Sequence, residues 1–160
     1  METKAYWYLE SESKLEEFLQ GWIDGSLPKA EWTHAAHVAG AACVVHGSTA
    51  EAALPVLRER IRRYNEAVGG QNTEDAGYHE TLTKFWTMVV ASVAADGESR
   101  LEAAREAVAR FGGARDLFKQ FYEHDVVRDR QARREWVAPA KSAEFAAFCQ
   151  SGAVGGVGRA

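Results

Sequence analysis

Leu15, Phe18, Leu19, Trp22 and Ile23 fall at positions i, i+3, i+4, i+7 and i+8. That is one apolar face at the period of an α-helix. The period returns in Leu54, Leu57, Ile61, Tyr64 and Val68, and again in Leu82, Phe85, Trp86, Val89 and Val90. Leu101, Ala104, Val108 and Phe111 repeat it once more. No segment sustains the period-two alternation of a half-buried strand. Helices with one apolar stripe can bury it only against each other. The expected fold is therefore all-α, a single-domain irregular bundle of five to seven helices.

Start and stop signals divide the chain. Ser11 or Ser13 is placed to cap the first helix, and Gly25 ends it. Thr33 is a suitable N-cap for a second helix through "HAAHVAGAACVVH", stopping at Gly47. Its small residues allow a neighbouring helix to approach closely. Ser48 with Glu51 reads as a capping box for a third helix, and Ser99 with Glu102 as one for a fifth. Pro55 implies that the third helix is kinked or that its regular part starts near Leu54. A fourth helix opens around Tyr78. "ARDLFKQFYEHD" reads as a short sixth helix, "RDRQARREWV" as a charged turn or two, and "SAEFAAFC" as a final short helix. The domain is expected over residues 1–150, with 151–160 a flexible Gly-rich tail.

At 160 residues the chain suits one domain. A domain of about that size buries roughly 70% of its unfolded surface without staples. The net charge is −4, with acids and bases interleaved, which argues against a nucleic-acid surface. No apolar run reaches the ~20 residues of a membrane helix, and "METKAYWYLESESK" lacks the pattern of a signal peptide. Cys43 and Cys149 are isolated and fit no zinc or redox spacing. A cytoplasmic protein with a small-molecule partner, and with no membrane or nucleic-acid partner, is the expectation.

"EWTHAAHVAG" holds the first candidate chemistry. His34 and His37 are three apart, so a helix presents both on one side. "GYHETLTKFW" adds His79, with Glu80 beside it and Thr83 four residues on. Three imidazoles from two helices with an open position form a familiar catalytic metal centre. The expectation is one divalent transition metal ion on His34, His37 and His79, with zinc, iron, manganese and copper not distinguished. Glu80 can serve as a fourth ligand or as a base on bound water, although adjacent helical residues point about 100° apart. Thr83 faces the site better. Trp32, Tyr78 and Trp86 are candidates to line a ligand pocket.

Each of these has an ordinary alternative. HxxH arises often by chance, an acid at a helix start suits the macrodipole, and tryptophans usually pack in the core. His46, just before Gly47, reads as structural, and His124, among acids, as an exposed turn residue. There is no GxSxG, no P-loop and no dinucleotide fingerprint.

"EWTHAAHVAGAACVV", "YHETLTKFW" and "FYEHDVVRDRQARREWVAP" together resemble an uncharacterised all-helical bacterial family. Its members look like (F/W)xHxxH, then YHETxT, then (F/W)VxP, in that order. The resemblance runs from about Leu15 to Pro139 and covers His34, His37, His79, Glu80 and Thr83. Relatives commonly carry an aspartate after the proline, where this chain has Ala140. The resemblance implies that these polar positions act as one unit and supplies no activity. Three functions follow as expectations: a small metal-dependent enzyme of small-molecule metabolism (a hydrolase, an isomerase or an oxygen-using enzyme), a metal-free helical small-molecule binding protein, and a non-catalytic interaction domain.

Overall fold

The computed structural model describes residues 6–153. Seven α-helices make up the described chain: α1 (Glu12–Asp24), α2 (His34–Val45), α3 (Ala50–Ala67), α4 (Glu80–Ala94), α5 (Arg100–Phe111), α6 (Arg130–Arg134) and α7 (Ser142–Ala153). Four short 3-10 turns join them, and no strand occurs among the described residues. The all-α irregular bundle is as expected.

Most helix starts follow their side-chain chemistry. Ser11 accepts from the Lys14 amide, Thr33 from Ala36, and Ser99 from Glu102. The third helix departs from expectation. Its cap is Thr49, which accepts from Ala52, and not Ser48. Pro55 lies inside α3, where its missing amide removes one hydrogen bond near the start of an otherwise continuous helix. The expected sixth helix is only the 3-10 turn Leu117–Gln120. The last helix is longer than expected. It continues to Ala153, so the first three residues of the expected tail are helical, and 154–160 lie outside the described residues.

α4 is the hub. It packs against α2, α3, α5, α6 and α7, while α2 also packs against α3 and α5. α2 can sit so centrally because it is lined with small residues. Ala36, Ala39, Gly40 and Ala42 are all buried. A Cβ on Gly40 would lie 3.1 Å from the Trp22 ring of α1, so the missing side chain is the space that ring fills. Tyr64, fully buried on α3, donates from its hydroxyl to the Leu27 carbonyl at 2.6 Å and so satisfies its one polar atom.

The segment after α5 is stitched to the N-terminal end of α4. The buried Thr81 hydroxyl donates to the Glu135 carbonyl at 2.8 Å and accepts from the Val137 amide at 2.9 Å. Tyr122 donates to the Val137 carbonyl at 2.7 Å, and Arg133 donates to the Gly77 carbonyl at 2.9 Å. Cys43 and Cys149 are both free thiols. No helix among the described residues is long and apolar enough to cross a membrane.

Candidate functional site

Thr33 ends the preceding loop and starts α2 at His34. That phase puts His34 and His37 on one side of the first turn. Both line a cleft of about 750 Å³ bounded by α2, α3, α4 and the 3-10 turn after α5. Trp32 folds back over α2, with its ring 4.0 Å from His37, 5.1 Å from Trp22 and 5.2 Å from Tyr64. On the other side Trp86 meets His34 edge-on at 4.7 Å. Tyr78, His79 and Thr83 line the same cleft. Residues from two distant stretches, 32–37 and 78–86, thus line one cleft, and the two tryptophans serve both core and cleft wall.

Glu80 is the exception. α4 turns it away from the cleft into an adjoining groove, where Arg58 grips it through two hydrogen bonds of 2.9 and 2.8 Å. Tyr78 donates to the same carboxylate at 2.8 Å. Burial works against ionisation, but the hydrogen bonds from Arg58 and Tyr78 outweigh it, and the carboxyl sits below its ordinary range. An acid held this way is a poor proton acceptor. Tyr78 lines both the cleft and the groove of about 580 Å³ that holds Glu80.

Backbone carbonyls fix the state of each imidazole. A carbonyl can only accept, so a ring nitrogen facing one carries the proton. His34 Nε2 donates to Phe111 O at 3.0 Å, and His37 Nδ1 donates to Thr33 O at 2.8 Å. This leaves His34 Nδ1 and His37 Nε2 as lone pairs in the neutral rings, with no partner among the described residues. His79 is different. It is the N-cap of α4, accepting from the Leu82 amide through Nδ1 at 3.2 Å and donating to Val126 O through Nε2 at 2.9 Å. Both of its nitrogens are committed to backbone.

The sealed polar side-chain atoms that lack a partner among the described residues are Tyr8 Oη, Trp22 Nε1 and Trp32 Nε1. The two imidazole lone pairs are not among these sealed atoms, and both rings belong to residues that line the cleft. Burial pushes His37 down to about 4, against the pull of the Thr33 carbonyl and with help from His34. His34 and His79 are also lowered, chiefly by burial. All three rings are therefore neutral at pH 7.

The geometry bears on the expected metal centre. Among the described residues no three His, Cys, Asp or Glu side chains converge on a common point suited to an ion. His79 would have to give up a backbone bond to become a ligand. His34 and His37 each offer one free nitrogen, with the other held by a carbonyl, which is the usual outer arrangement of a metal-bound histidine.

Compared with protein-family models, curated proteins and solved structures, the chain matches none.

The remaining histidines behave as expected. His46 donates to Gly97 O at 2.7 Å, and His124 pairs with Asp129 at 2.9 Å on the surface. Thr81, a lesser site candidate beside Tyr78 in the sequence, has its hydroxyl engaged by the backbone of Glu135 and Val137. Sequence reasoning missed Arg115 and Lys119, which line the mouth of the cleft. Nothing in their spacing marks them, because the turn that carries them is too short to show a period.

Proposed function

We propose that this protein binds a small molecule in the cleft beside α2, without a metal, and presents it with two neutral imidazoles as hydrogen-bond or proton acceptors. The observation that carries this reading is the pair of open lone pairs, His34 Nδ1 and His37 Nε2, on side chains lining an aromatic cleft. A volume of about 750 Å³ lies within the range of ligand sites, which combine apolar walls with a few placed polar groups. Trp32 and Trp86 provide flat faces beside the two rings. Thr83, one turn from His79 on α4, adds a hydroxyl to the same wall.

The second reading is a metal held by His34 and His37 with the remaining positions taken by ligand or water. It is favoured by the carbonyl behind each ring. Tryptophan fluorescence separates the two. Untagged protein is titrated with a set of aromatic fragments, with and without a strong chelator. Quenching that survives the chelator and is lost in His37→Ala supports the metal-free cleft. Quenching abolished by the chelator, with about one metal per chain by elemental analysis, replaces it with the metal reading. A folded protein that answers no fragment in either condition defeats both.

A further inference from the structure

The charged side chains lining the cleft come from one short stretch at its mouth: Arg115, Asp116 and Lys119. Two cations and one anion leave one positive charge, since the three histidines are neutral. Asp116 and Lys119 share an ion pair of 3.6 Å between side chains that are each about two-thirds exposed, a weak and solvated contact. The Arg115 side chain has no hydrogen-bond, ion-pair or ring partner among the described residues. The side chains of Arg63 and Arg134 share that condition, but neither lines this cleft. Arg115 is near enough to His34 for its charge to oppose protonation of that ring. One end of the cleft is thus a free guanidinium. The walls are tryptophan. The inner polar groups are lone pairs that require donors.

We infer that the ligand is a hydroxyl- or amino-bearing aromatic acid: its carboxylate is taken by Arg115, its ring by Trp32 and Trp86, and its donor by His34 or His37. This rests on the small-molecule reading of the cleft. A guanidinium fork matches a carboxylate with two parallel hydrogen bonds. One net positive charge balances one carboxylate, whereas a phosphate dianion would remain under-compensated. The charge also lies at the mouth, where it draws anions towards an otherwise apolar site.

Calorimetric titration with 6-hydroxy-2-naphthoate, 2-naphthol and 6-methoxy-2-naphthoate tests each part, on wild type and Arg115→Gln. Arg115 is exposed, so the variant is expected to melt like wild type, which circular dichroism checks. The hydroxy acid should bind tighter than the naphthol by roughly tenfold or more, the scale of a charge-assisted hydrogen bond. That preference should collapse in Arg115→Gln. The methoxy acid, which cannot donate, should bind more weakly than the hydroxy acid. Equal affinity for acid and naphthol, or a preference that survives Arg115→Gln, overturns the inference and leaves the cleft reading standing. Failure of all three naphthalenes to bind also overturns it. The fragment titration then shows separately whether the cleft binds small molecules at all.

Discussion

His37 shows how one residue's surroundings determine its chemistry. Its proton is held on Nδ1 by the Thr33 carbonyl, and burial keeps the ring neutral down to about 4. The unfolded chain would protonate the same histidine near 6.5. The unfolded state therefore binds more protons across the interval between these values, and stability falls as pH drops through it. His34 and His79 are shifted in the same direction. Unfolding midpoints should be flat above pH 6.5 and decline towards pH 4, with each histidine contributing up to about 1.4 kcal/mol per pH unit in its own interval. Proton NMR of the imidazole signals should place His37 lowest. A His37 that titrates at an ordinary value would remove the basis for treating it as a neutral acceptor at acidic pH. Glu80 gives a contrasting prediction. Its side chain is 13% exposed and that of Arg58 is 40% exposed, so solvent partly screens the pair. Glu80→Gln should cost about 1–2 kcal/mol in denaturant melts, while fragment binding in the cleft stays near wild type. Loss of binding without loss of stability would restore Glu80 to the site.

At the scale of elements, the start of α4 carries more than its own helix. Gly77 precedes it at φ +83°, and a Cβ there would lie 2.2 Å from the Gln71 carbonyl. Only glycine fits this bend, which then presents Tyr78 and His79 to the cleft. Thr81, in the first turn, bridges Glu135 and Val137. Thr81→Val keeps the shape but leaves a carbonyl and an amide without their partner. It should destabilise by about 1–3 kcal/mol, read from urea melts; an unchanged midpoint would mean that the C-terminal segment is anchored elsewhere. Much of this level was legible in the sequence. The apolar faces of α1, α4 and α5 stand at helical spacing, and Ser11, Thr33 and Ser99 are ordinary caps. The cap by His79 was not legible, because histidine rarely fills that role and its Nδ1 does so here only through the tautomer set by Val126. The 3-10 turn over Leu117–Gln120 looks like a helix in the sequence because four residues cannot separate the two periods. The pairing of His34 with His37 could be seen from spacing. The commitment of His79 to backbone could not, since its partner is 47 residues away.

For the whole molecule, the C-terminal helix belongs to the core. Phe145 on α7 is buried and stacks on Phe85 of α4 with ring centres 4.8 Å apart. Phe145→Ala should cost about 3–5 kcal/mol, seen as a lowered melting temperature. A change below 1 kcal/mol on that scale would show α7 to be an appendage. The close approach of α1 and α2 over Gly40 offers a second check on packing. Gly40→Val must push the Trp22 ring aside, and overpacking of this kind costs typically about 1–3 kcal/mol; because Trp22 also lines the cleft, its displacement should reach fragment binding as well.

Tyr78 lines both the aromatic cleft and the arginine-lined groove beside it, with its hydroxyl tied to Glu80, which Arg58 also holds. It is a party wall one ring thick. Two compartments of different character, one walled by tryptophan, the other rich in guanidinium groups, share this side chain, whose tether lies on the groove side. A ligand in either compartment would therefore meet the same ring as a ligand in the other.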